Sequence, residues 1–140
     1  MKLKLSASTV LGSLLLFVGA GMFGACEHAT PVTQPPVMLQ PTLSSIQTNI
    51  FTLKCVNAGC HPGGGAPMSL RAGDSFGTLV NQPSAYNRPR VQPGNANNSA
   101  LYLKVAGTTL GAQMPPGRPP LNNDELNAIQ TWINNGAQNN

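Results

Sequence analysis

Between residues 42 and 55, the segment TLSSIQTNIFTLKC places apolar side chains at Leu43, Ile46, Ile50 and Leu53, in steps of three, four and three. That spacing is one face of a helix, for which Thr42 is a suitable N-cap, and the helix ends by delivering Cys55. Near the other end, LNNDELNAIQTWINNGA (residues 121–137) carries the clearest helical pattern of the chain. Asn122 caps it, Glu125 three residues on completes a capping box, and Asp124 and Glu125 suit the positive end of the helix dipole. Leu126, Ile129, Trp132 and Ile133 form its buried face, with Trp132 read as packing between the terminal helices, and Gly136 stands where a left-handed stop is expected. Between these two helices, SFGTLVN (residues 75–81) and NSALYLKVAG (residues 98–107) predict shorter ones, separated by turns rich in proline and glycine. No segment alternates as a strand does, so the expected fold class is all-α.

Ahead of the first helix the pattern changes twice. Lys2 and Lys4 precede an apolar run, VLGSLLLFVGAGMF (residues 10–23), that is too short and too rich in glycine for a membrane span and reads as an export signal. FGAC follows, setting Cys26 behind two small residues in a pattern that resembles the lipobox of bacterial lipoproteins, although Phe23 stands where leucine is usual. Lipidation of Cys26 is the expectation; the alternative is ordinary cleavage nearby, which leaves Cys26 an exposed thiol. Then EHATPVTQPPVMLQP (residues 27–41), with four prolines and no hydrophobic period, reads as an extended tether in which His28 is solvated. The expected organisation is a signal peptide over residues 1–25, a tether over 26–41, one folded domain over 42–137 and a short tail over 138–140.

Composition bears on what that domain can do. Charged residues are 9% of the chain and aromatics 5%, while Gly 15 and Pro 13 make up a fifth of it, so much of the domain is ordered loop and a bound cofactor would supply missing apolar mass. With the signal removed, six cations (Lys54, Arg71, Arg88, Arg90, Lys104, Arg118) face four acids (Glu27, Asp74, Asp124, Glu125), a net charge of +2. No basic run or basic-aromatic stripe follows a phosphate backbone, which excludes nucleic acid as the expected partner.

The segment CVNAGCH (residues 55–61) carries the chemistry. A cysteine pair with a histidine directly after the second cysteine is how a chain grips a haem covalently and supplies an iron ligand, in the usual form C-x-x-C-H. Here four residues separate the cysteines. Two extra residues break the register of one helical turn, but Ala58 and Gly59 leave room for the chain to bulge and bring Cys60 and His61 back. Two other readings use the same residues. A Cys55–Cys60 disulfide suits an exported protein yet leaves His61 and the glycine run after it without a role. A structural zinc wants four ligands, and with Cys26 and His28 set aside only three candidates remain.

Further along, AQMPPGRPPLNNDEL (residues 112–126) sets Met114 in a polar, proline-stiffened loop directly before the capped last helix, a poor place for a gap-filling core methionine. CVNAGCH, RVQPGNANNSALYLK, MPPG and the L-x-x-I-x-x-WI-x-x-GA ending, in this order, resemble the single-haem class I cytochrome c domains of exported bacterial proteins, including the branch with a CxxxGCH attachment. The resemblance covers about residues 42–137; the departures from it are the four-residue cysteine gap and the GGGAPMSLRAGDS loop after His61.

The resemblance implies a small helical domain wrapped around one covalent haem c, with Cys55 and Cys60 as thioether sites, His61 as the proximal iron ligand and Met114 as the distal one. Met68 is the second candidate for the distal place. Arg90 would meet a haem propionate, with Val91, Pro93, Gly94, Leu101 and Tyr102 near the pocket; the alternative for Arg90 is a solvated surface charge. The implied function is a lipid-anchored electron carrier, not an enzyme, in the periplasm or on a membrane surface of a bacterium, exchanging one electron with haem or copper proteins. Two alternatives remain: a five-coordinate haem enzyme or gas or peroxide sensor, and a haem-free lipoprotein that uses a Cys55–Cys60 disulfide to staple an interaction module.

Overall fold

In the computed structural model, which describes residues 39–57, 59–63 and 68–140, the chain enters its first helix at Leu43. The expected signal peptide, Cys26 and the tether up to residue 38 lie outside the described residues. Thr42 is the N-cap: its backbone is extended and its Oγ1 accepts the Ser45 N–H at 3.3 Å. Helix α1 (Leu43–Ile46) is a single turn that runs on without a break into a π-helix, Gln47–Val56.

π-Winding closes each hydrogen bond over five residues and is ordinarily confined to one-turn bulges. Here it lasts ten residues, and it relocates the buried face. Ile46, Ile50 and Phe51 are buried, whereas Leu53 is 58% exposed, which corrects the face expected from a 3.6-residue period. The wider winding stacks Ile46 over Phe51 and Ile50 over Cys55, so the place intended for Leu53 falls to Phe51. Buried Gln47 is held on all sides: its amide nitrogen donates to the Leu70 carbonyl at 2.9 Å and its amide oxygen accepts from Ser75 Oγ at 2.6 Å. Those bonds fix the loop after His61 against the helix that precedes it.

The remaining elements are α2 (Ser75–Leu79), a 3₁₀ turn (Ala96–Asn98), α3 (Ala100–Ala106) and α4 (Asn123–Asn134). The two short helices lie inside the segments expected for them. At the start of α4 both halves of the capping box form, with Glu125 N–H donating to Asn122 Oδ1 and Asn122 N–H donating to Glu125 Oε2, each at 2.9 Å. At its end Gly136 has a φ of 97°; its N–H reaches the Ile133 carbonyl, and the Ala137 N–H reaches that of Trp132, the two-bond closure of a Schellman stop. Ala128, Ile129, Trp132 and Ile133 are buried on α4, while Leu126 is only half-buried.

Among the described residues, extended pairing is limited to three single bridges, Pro62 with Ser69, Val80 with Val91 and Pro83 with Pro89. The described part is therefore helical without a sheet. α4 packs against α1 and α3, and the core between them is built from Ile46, Ile50, Phe51, Leu79, Val91, Ile129, Trp132 and Ile133. Trp132 is a packing residue here, 1% exposed, with its indole N–H donating to the Gln138 carbonyl at 2.8 Å. No helix among the described residues is long and apolar enough to cross a membrane.

Candidate functional site

The π-helix ends at Val56, and the chain turns back on itself within five residues. Gly59, at a φ of 76°, makes the left-handed step that a side chain would resist, and its N–H closes onto the Val56 carbonyl at 2.8 Å. His61 N–H then donates to the Cys55 carbonyl at 3.0 Å, so the first cysteine and the histidine are tied by their backbones across the loop. On the far side the His61 carbonyl accepts from Leu70 N–H at 3.0 Å, closing the glycine-containing loop that carries Met68. Cys55 and Cys60 are not joined in a disulfide.

A second segment approaches from the other end of the chain. α3 stops at Gly107, whose φ of 73° ends the helix, and the loop that follows folds back over the last turn. Helix ends leave their final carbonyls without internal partners. Here the loop supplies them: Thr108 N–H donates to the Leu103 carbonyl, Met114 N–H to that of Lys104 at 2.9 Å, and Gln113 Nε2 to that of Val105 at 2.8 Å. Met114 is thus delivered half-buried, directly before the buried Pro115.

Between the two segments lies a cavity of about 370 Å³, within the range of small-molecule and cofactor sites. Ile50, Phe51, Leu70, Leu101, Val105, Leu121 and Ile129 make its apolar walls. Cys55, Cys60, His61, Met68, Arg90 and Met114, all singled out in the sequence, line it together. Tyr102, one step beyond Leu101 on α3, is not among the residues lining it and packs partly buried against the core. Tyr86, which the sequence reading missed, lines the cavity from the loop ahead of Arg90 and remains 41% exposed. Val91 is in the core and Pro93 and Gly94 are off the cavity; Leu101 alone of those neighbours reaches it.

Two lysines complete the lining. Lys54, beside Cys55, pairs with Glu125 at 2.6 Å, and Glu125 is the capping-box residue of α4. Lys104 Nζ lies 5.6 Å from the centroid of the Tyr86 ring. Arg90 donates to the Thr78 carbonyl at 2.8 Å. Among the described residues, the charged side chains lining the cavity are therefore three cations, and no carboxylate lines it. A last-turn lysine on α3 was a readable cue for Lys104, since cations favour helix C-termini; the Lys54–Glu125 pair spans 71 residues and left no local trace.

Burial governs the titrating groups. It pushes the Cys55 thiol up to about 11, helped by Cys60 and opposed by Lys54, so at neutral pH Cys55 stays a thiol. Burial likewise lowers His61 below its ordinary value, with the Met68 backbone acting against it, and keeps the imidazole neutral with a lone pair to donate. His61 Nδ1 is buried without a hydrogen-bond partner. Among the described residues no three His, Cys, Asp or Glu side chains converge as a metal cage. The donor set nevertheless fits a haem, which brings its own equatorial nitrogens: two thiols beside an imidazole, thioethers on other loops, apolar walls and cations for acidic substituents. Comparison of the chain with protein-family models, curated proteins and solved structures gave no match.

Proposed function

We propose that this chain is an exported c-type cytochrome of the class I kind, tethered through Cys26, that passes single electrons between haem or copper proteins. One observation carries the reading: Cys55, Cys60 and His61, and Met114 far from them in sequence, line one apolar cavity together with Arg90. Cys55 and Cys60 would hold the haem by thioethers, His61 and Met114 would ligate its iron, and Arg90 would face a propionate. When bound, the haem supplies one-electron redox chemistry. The chain's own part is to orient and to exclude. Neutral His61 would offer its lone pair without first losing a proton, Met114 would take a second iron position and deny it to small substrates, and the apolar walls would limit water around the group.

The visible spectrum of the protein, produced together with cytochrome c maturation machinery, tests this. Low-spin bands with a sulfur-to-iron charge-transfer band are expected. High-spin bands would make it an enzyme or sensor with an open iron, and the absence of a Soret band would leave a haem-free module. The pyridine haemochrome α-band of the same sample counts the saturated vinyls; two thioethers are expected, and one, at Cys60, would show that Cys55 fails to reach across the loop.

A further inference from the structure

Met114 sits on a loop of exposed residues, Thr108, Thr109, Gly111, Ala112 and Gln113 among them, and a thioether is a weak ligand that depends on being held in place. Three of the bonds that hold the loop meet at one residue of α3. The Lys104 carbonyl accepts the Met114 N–H at 2.9 Å, and the Lys104 ammonium donates to the Leu110 carbonyl at 3.1 Å and to the Ala112 carbonyl. The same ammonium lies over the Tyr86 ring, and the side chain lines the cavity. Among the described residues it has no carboxylate partner, and its charge meets the dipoles of two loop carbonyls and the ring.

We propose that Lys104 is the positioning residue for Met114: its backbone anchors the methionine while its ammonium gathers the loop just ahead of it, fixing where the thioether stands in the cavity. This rests on the haem reading above. The geometry explains why one cation does both. A last-turn lysine stands at the negative end of the helix, and the loop turned by Gly107 brings its own carbonyls, those of Leu110 and Ala112, within its reach. Tyr86 covers the ammonium from the opposite loop, so two loops on different sides of the cavity are joined through a single group.

The test uses the haem-loaded protein and three variants: Lys104→Met, which keeps the stem and loses the donors, Lys104→Arg, which restores them, and Arg71→Met as a control at an exposed cation outside the cavity lining. In Lys104→Met the charge-transfer band should fade, imidazole should bind about tenfold more tightly, and exchange of the Met114 amide hydrogen should accelerate about tenfold. Lys104→Arg should recover most of each, and Arg71→Met should leave all three near wild type. A Lys104→Met protein that loses thermal stability yet keeps its band, imidazole affinity and amide protection overturns the proposal and reduces Lys104 to a structural role. Equal effects from Arg71→Met overturn it too, by showing that losing a cation anywhere on the domain does the same. Wild type without a Soret band sinks the haem reading first, and Lys104 with it.

Discussion

At the scale of single residues, the two methionines of the cavity differ in how they are held. Met114 is pinned by its own N–H and by the buried Pro115, whereas Met68 follows a glycine-rich loop closed by the Leu70 bond. In the haem-loaded protein Met114→Ala should therefore abolish the charge-transfer band, lower the potential and open the iron to carbon monoxide, and Met68→Ala should do none of this. A reversed pattern, read by the same spectra, hands the ligand role to the loop after His61.

At the scale of elements, helix α4 is the clamp of the site. Its N-terminus follows the Met114 loop, and Glu125 serves it twice, returning a bond to Asn122 and holding Lys54 next to Cys55. Asn122→Ala should cost about 1 kcal/mol, as N-cap losses do, in urea unfolding. A double-mutant cycle of Lys54→Met with Glu125→Gln should give a coupling of about 1 kcal/mol that shrinks in molar salt, because the carboxylate is largely buried but the lysine is 36% exposed. A coupling near zero at low salt would reduce the pair to a surface contact. The cap of α4, its Schellman stop and the Thr42 cap were all legible in the chain, because each is decided by groups within a few residues of one another. The π-helix was not. Nothing in TLSSIQTNIFTLKC distinguishes i→i+5 from i→i+4 winding until Gln47 is pulled toward Leu70 and Ser75 and Phe51 finds the core.

At the scale of the whole molecule, the cavity leaves apolar walls such as Phe51, Leu70, Leu101 and Ile129 without packing partners on one side, contacts that an attached haem would supply. Protein made without haem attachment should therefore lack a cooperative thermal transition by calorimetry, and the attached protein should show one. A haem-free chain that unfolds cooperatively would show that the walls close by themselves. The anchor is tested at the same scale: Cys26→Ser should release haem protein from membranes into the soluble fraction, and wild type that is already soluble with an unmodified N-terminus ends the tether proposal.

The sequence by itself determined the helical class, the ends of α3 and α4, the turn at Gly59 and the residue types of the site, since capping, left-handed glycines and cysteine–histidine spacing are short-range chemistry. Tertiary structure decided the rest. It put Phe51 in the place meant for Leu53, brought Tyr86 to the cavity wall, and set Lys54 against Glu125 across 71 residues. Each of these depends on which surfaces meet when α1, α3 and α4 pack, and a burial or an ion pair formed between distant segments leaves no periodicity for a local pattern to carry.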